Sequence, residues 1–424
     1  MPDDFERMWR DLAPIGRSAA SGGYFRPGWG AAELELRGWF RDQAAARGLG
    51  VEEDSFGNFV AWWRPPGSTG RTMRSDSANH EGGLDSVLTG SHLDSVPDGG
   101  AFDGPLGVVS ALAAVDMLRG RGVEPARPLG VAVFAEEEGS RFGRACLGSR
   151  LATGATTWED ARELRDADGI RLGDLVEGGE SAGDHGPTRH AEGVKTGRLG
   201  GWLAQVGCYV ELHVEQGRGL VDLDAPVGVA SGIWPHGRWR YDVRGRADHA
   251  GTTRMEDRAD PMLTYAMTAL AANKQARLAG QRATFGRVEV APNGTNAVPS
   301  RVTAWLDARA ESEAALDEMV AVIGRIAAER ADRDGTSVTI TAESVSGDVR
   351  FDDDLTTQVG GGVPKLPTQA GHDAGILQAA GIPSAMLFVR NPTGVSHSPV
   401  EHAETADCLV GVDALADALQ RLLT

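Results

Sequence analysis

Apolar positions recur along this chain in two periods, and the switches between them outline the fold. Leu34, Leu36, Trp39 and Phe40 mark one face of a helical N-terminal stretch, and a short strand follows at Phe59–Trp63. Residues 65–85 are polar and rich in proline, glycine and serine, which predicts a loop within a domain rather than a linker between two. Val87 and Leu88 then lead into a glycine-rich loop, a helix is expected from Pro105 to about Arg119, and a second buried strand covers Leu129–Ala135. Strand, helix and strand in this order predict an α/β sheet whose functional loops lie beyond the carboxyl ends of parallel strands.

Residues 225–345 follow another plan. A strand at Arg238–Gly245 precedes a long helical stretch at about Asp257–Leu278 and two strands, Ala283–Val290 and Arg301–Ala308. Leu316, Met319, Val320, Ile323 and Ile326 then fall at helical spacing before a last strand, Ser337–Thr341. The order β-α-β-β-α-β is the ferredoxin-like plan. The α/β pattern resumes with a helix after His372 and the strand Ser384–Val389, so 225–345 is expected to be inserted into a larger domain made of 1–224 and 346–424.

Length and composition narrow the function. A chain of 424 residues with 41% hydrophobic positions can bury a large core, and a net charge of −18 excludes a general nucleic-acid or anionic-membrane binder. Three dispersed cysteines, Cys146, Cys208 and Cys408, cannot form a disulfide framework or a cysteine-based zinc module. The N-terminus carries Asp3, Asp4 and Glu6 where a signal peptide needs a basic start, and no run is long and apolar enough to span a membrane. The chain is therefore expected in the cytoplasm.

Chemistry concentrates in a few blocks. Residues 90–107, GSHLDSVPDGGAFDGPLG, place His92, Asp94, Asp98 and Asp103 among glycines just after a strand. A carboxylate two residues from a histidine can take the second imidazole N–H and fix the tautomer that a metal needs, while Asp103-Gly104-Pro105 also reads as a helix N-cap. Glu136, Glu137 and Glu138 end an apolar strand, where their mutual repulsion calls for cations or protons. Val210–Gly217 puts Glu211 and His213 on one strand face, and His397 lies in a late loop. Two histidines, an aspartate and a glutamate are the ligand types of a di-metal hydrolase.

In these blocks the sequence resembles the M20 metallopeptidase-type amidohydrolases, in the branch of N-carbamoyl-L-amino-acid hydrolases and allantoate amidohydrolases. GSHLDSVPDGGAFDG (90–104), EEEGSRF (136–142), ELHVEQG (211–217), DHAGTT (248–253), AGHDA (370–374) and GVSHSP (394–399) carry the resemblance across nearly the whole chain. It implies a di-metal catalytic domain with an inserted dimerisation and lid domain, and two divalent ions per subunit, manganese, zinc or cobalt. By that resemblance the ligands would be His92, Asp103 as bridge, Glu138, His213 and His397, with Asp94 behind His92. Glu137 would be the general base, moving a proton from a metal-bridging water to the leaving amine. His249 would polarise the scissile carbonyl in the partner's site of a homodimer, and Gln216, Asn296 and Arg309 would hold a small carboxylate-bearing ureido substrate. Allantoate is the first substrate implied and an N-carbamoyl-L-amino acid the alternative, with ammonia and carbon dioxide released. Two positions depart from the family, Arg254 after the threonines and Thr368-Gln369 before AGHDA, both near expected substrate contacts. His372 and Asp373 are read as structural or substrate-shaping, and His80, His185, His190, His236 and His402 as surface histidines without supporting partners.

Overall fold

The computed structural model describes residues 2–65, 86–178, 199 and 201–424. The expected loop at 65–85, apart from Pro65, and His80, His185 and His190 lie outside the described residues. The chain divides into two compact units, 1–232 with 350–424 and 233–349.

The larger unit is built on a mixed sheet. Its strands run in the order Gly50–Glu53, Phe59–Trp63, Leu129–Phe134, Ser86–His92, Val206–Val214, Ser384–Val389 and Val227–Ile233. The central four, from Leu129–Phe134 to Ser384–Val389, are parallel, and the outer strands pair antiparallel. Strands covered on both faces need no polar alternation, which is why Leu129–Phe134 and Ser384–Val389 are apolar and buried throughout. The helix Pro105–Gly120 is likewise apolar around nearly its whole circumference and packs against Ser86–His92 and the helix Thr405–Leu423. In the N-terminal helix Ala31–Ala46, Leu36 and Phe40 are buried as expected, but Leu34 is 49% exposed. Position 34 lies two residues from 36, on the far side of the helix.

The smaller unit is a four-stranded antiparallel sheet in the order Ser337–Ser346, His236–Arg244, Arg301–Arg309 and Arg282–Ala291, with helices Pro261–Ala279 and Glu313–Asp334. Trp239, Tyr241, Leu306, Ala272, Leu316, Met319 and Ile323 form its core. The first helix starts at Pro261 rather than near Asp257. Asp260 caps it by accepting from Met262 N at 2.9 Å, and the residue before a proline resists helical geometry. Val227–Ile233 pairs with Ser384–Val389 in the larger sheet, so the insert begins after that strand and not at 225. Among the described residues, no helix is long and apolar enough to cross a membrane.

Candidate active site

Three adjacent parallel strands deliver the central side chains. His92 closes one strand in register with Phe134 of the next, which runs on into Glu136–Glu138. On the other side Glu211 pairs with Gly90, and the same parallel register carries His213 alongside His92, their rings 5.9 Å apart. The carboxyl ends of the strands therefore converge, as an open α/β sheet dictates.

Asp103 is the hub. Its Oδ1 lies 3.2 Å from His213 Nε2 and 3.6 Å from His92 Nε2, while Oδ2 lies 3.4 Å from His397 Nε2. His397 Nε2 is also 3.3 Å from Glu138 Oε2. Among the described residues these atoms form two triads that share Asp103, one of His92, Asp103 and His213, the other of Asp103, Glu138 and His397, and Glu211, His213 and His372 make a third group. His92 Nε2, His213 Nε2 and Glu138 Oε1 are buried and make no hydrogen bond of ordinary geometry. Buried polar atoms left unpaired are costly, and divalent ions would satisfy these three. The other imidazole nitrogens are fixed, His92 Nδ1 against Asp94 O at 3.1 Å and His213 Nδ1 against Val214 O at 2.9 Å. Backbone acceptors on Nδ1 leave Nε2 free to ligate. The residues fit a pair of divalent cations.

Charge supports the same fit. Asp94, Asp103, Glu137, Glu211 and Asp373 are all buried around these histidines. Burial opposes ionisation of Asp103, yet His213 and His92 hold it well below the usual carboxylate range. Burial lifts Glu137 well above its ordinary value, against His92 and with Asp373, Glu138 and Asp94 adding repulsion. Glu138 is raised by burial and then by Asp103. Asp373 is pushed up to about 8 by burial and by Glu211. His397 rises to about 9 beside Glu138.

The three consecutive glutamates separate by backbone geometry. Glu136 sits at φ +52°, and its carboxylate turns back to accept from Gly28 N, Arg141 N and Phe142 N at 3.1, 2.7 and 2.8 Å. It shapes the loop and cannot serve as a spare base. Glu137 Oε2 lies 3.7 Å from His92 Nε2, and its Oε1 accepts from the Cys146 thiol at 3.2 Å. Asp94 does less for His92 than its spacing implies. Its carboxylate is 3.5 Å from His92 Nδ1 but accepts from Glu137 N and Glu138 N, both at 3.1 Å, so it also orients the backbone of these two glutamates. Asp103 is not a helix N-cap. Gly104 takes that position at φ +83°, where a Cβ would come within 2.4 Å of the His92 ring, so only glycine passes beneath it.

Gln216 is found on a ligand, donating to Asp103 Oδ2 at 2.7 Å and to Ser396 Oγ at 3.2 Å. Glu211 accepts from Ser91 Oγ and Ala374 N, and Ser149 Oγ donates to Asp373, so both carboxylates support the floor of the site. His372 is buried with its ring 4.6 Å from that of His213. Two residues escaped the sequence reading. Cys146 belongs to no motif, and Glu401 lies just beyond the block that holds His397. His402 is not without partners, since its Nε2 lies 3.2 Å from Glu404, and His236 Nδ1 lies 3.1 Å from Trp234 O.

The insert carries the remaining expected residues in two places, His249 and Asn296 at a separate two-stranded ladder and Arg309 at the end of a strand of the four-stranded sheet. His249 and Asn296 are exposed and adjacent, because His249 pairs with Ala297 and Ala250 N donates to Asn296 O at 2.9 Å. His249 Nδ1 accepts from Gly251 N and Thr252 N, both at 3.1 Å, which places the ring proton on Nε2 and makes that atom an outward donor. Arg309 closes the strand whose first residue, Arg301, pairs with Arg244 and Ala291, on the chains that lead to His249 and Asn296. Eight strand steps place Arg309 about 27 Å from that end. Its guanidinium pairs with Asp307 through Nε at 2.8 Å and Nη2 at 3.1 Å. Of the departures, Thr368 is buried and its hydroxyl accepts from Ala370 N, whereas Arg254 is exposed.

Comparisons with known proteins agree with this geometry. The family model described as peptidase family M20/M25/M40 matches residues 88–421. An N-carbamoyl-L-amino acid amidohydrolase of Geobacillus stearothermophilus is 34% identical, over 98% of this chain and 98% of that protein. An allantoate amidohydrolase of Bacillus subtilis is 31% identical, over 79% of this chain and 81% of its own length. A solved amidase of the hydantoinase/carbamoylase family from Burkholderia vietnamiensis superposes with a TM-score of 0.83 at 28% identity, covering 99% of this chain and 97% of that one.

Proposed function

The chain belongs to peptidase family M20/M25/M40, and on that premise we propose that it is a two-metal amidohydrolase that opens the ureido C–N bond of a small carboxylate-bearing substrate. The observation that carries this reading is the pair of donor triads sharing Asp103, with Glu137 outside both and 3.7 Å from His92 Nε2. Bound divalent ions would supply an acidified water and polarise the ureido carbonyl.

The chain's own residues do the rest. Glu137 takes the proton of the attacking water and returns it to the leaving nitrogen as the C–N bond breaks. Its raised proton affinity suits a group that must hold a proton between those two steps. The Cys146 thiol occupies one carboxylate oxygen of Glu137 and leaves the other toward His92. His249, as an Nε2–H donor, is suited to stabilise the oxygen that gains charge. Asn296 and Arg309 are assigned to the substrate, and Arg309 can exchange its planar pairing with Asp307 for a substrate carboxylate. Arg309 stands eight strand steps from the end that leads toward His249, and in this reading the two come from different copies of a homodimer. Leu263, Met267, Leu270 and Leu278 form an exposed apolar stripe on the helix Pro261–Ala279, and we assign it to that dimer contact.

The end-to-end match to the N-carbamoyl-L-amino acid amidohydrolase puts that substrate class first in the assay, ahead of allantoate, the first choice from sequence. The test is ammonia release by enzyme loaded with manganese, zinc or cobalt, from a panel of N-carbamoyl-L-amino acids and from allantoate. Turnover of at least one is expected. No ammonia from any of them overturns the reading.

A further inference from the structure

His397 presents a problem of positioning. Its side chain is 51% exposed, it sits at φ +54°, and the segment around it belongs to no helix or strand. A ligand on such a loop needs an outside anchor, because ligation tolerates little misplacement. Asn391 secures the first part of the loop, accepting from Thr393 N and Gly394 N and donating to Val395 O. Beyond Val395 the anchoring passes to Glu401. One carboxylate oxygen accepts from Phe102 N at 2.8 Å and from Asp103 N at 3.0 Å, and the other from Ser396 Oγ at 3.0 Å. The Ser396 hydroxyl also lies 3.1 Å from Asp103 Oδ2. A single buried side chain therefore joins two loops about 300 positions apart, one holding the shared carboxylate and the other a histidine of the second triad. Gly100 makes room for it, since a Cβ there would come within 2.2 Å of Glu401 Oε1.

We propose that Glu401 is a positioning residue that holds the His397 loop against Asp103, so that the metal position made by Asp103, Glu138 and His397 depends on it more than the position made by His92, Asp103 and His213. The inference rests on the two-metal reading above. Partners behind metal ligands typically govern affinity by about 10- to 100-fold. The Glu401→Ala variant removes the clamp. Glu401→Gln retains an oxygen for Phe102 N and Asp103 N and an amide to donate to Ser396 Oγ. Gly100→Ala displaces Glu401 without altering it.

The experiment titrates metal-free protein with zinc alone against a chromophoric chelator, with circular dichroism as a check on folding. Wild type and Glu401→Gln are expected to bind two equivalents. Glu401→Ala and Gly100→Ala are expected to bind one equivalent about 10- to 100-fold more weakly and to lose distinctly less affinity for the other. Two tight equivalents in folded Glu401→Ala, or equal weakening of both, overturn the proposal while leaving the metal centre intact. If Glu401→Ala does not fold, the same two results in Gly100→Ala overturn it. Fewer than two equivalents in the wild type sink the two-metal reading and this inference with it.

Discussion

At the scale of single residues, three neighbouring glutamates have diverged by where the backbone aims them. Glu136 receives three backbone N–H groups and Glu137 faces His92. The Glu137→Gln variant should therefore keep its metal and its fold while turnover falls by about 10²- to 10⁴-fold. Glu136→Ala should instead lose about 1–3 kcal/mol of stability for the amides it strands, which a denaturant titration reads. Near-normal rates for Glu137→Gln would remove it from the role of base. His397 yields a pH dependence with a definite sign. In the metal-free protein it holds its proton up to about pH 9, so uptake at neutral pH must expel that proton. His92 and His213 are raised as well, so the affinity of both metal positions should rise with pH. Titrations at pH 7 and pH 8 that coincide would contradict this. The histidines and acids that the fold brings together were legible in the sequence because each sits in a short block with glycine nearby. Glu401 was not, because its partners are backbone amides of a loop distant in sequence and no local pattern announces them.

At the scale of elements, the strands were legible where burial on both faces makes them continuously apolar, as at Leu129–Phe134 and Ser384–Val389. Helix faces were less so. Leu34 and the stripe Leu263, Met267, Leu270 and Leu278 are as apolar as core positions, yet all are exposed in one chain. Composition alone does not separate a core face from a face awaiting a partner. The stripe on Pro261–Ala279 is assigned to a second copy, and Leu270, 66% exposed, is a sharp probe of it. Leu270→Glu should leave the unit folded, because the helix core at Thr264, Thr268, Ala272 and Ala276 is untouched. It should also shift the protein from dimer to monomer in sedimentation, since a charge desolvated at a two-fold contact is paid for twice. An unchanged dimer would place the contact elsewhere on the insert.

At the scale of the whole molecule, the acidic balance and the proposed dimer bear on the same question of how a small anion is held. The net charge of −18 repels a carboxylate, so recognition depends on local positive groups, of which Arg309 is the one assigned. Arg309 closes a strand whose far end, about 27 Å away, leads to the segments of His249 and Asn296, whereas a ureido acid is a few bonds long. If both ends act on substrate, each site combines Arg309 of one copy with His249 of the other. Subunit mixing tests this combination directly. Arg309→Ala and His249→Ala should each be nearly inactive as homodimers. In a mixed dimer one site inherits both defects, and the other inherits neither. Random pairing of equal amounts makes half the dimers mixed, so co-expression should recover roughly a quarter of wild-type activity. Sites drawing both residues from one and the same copy would give no recovery, because every site in the mixed dimer would then carry one defect. Absence of recovered activity in purified mixed dimers would therefore refute the shared site, even if metal binding and the chemistry at Glu137 stood.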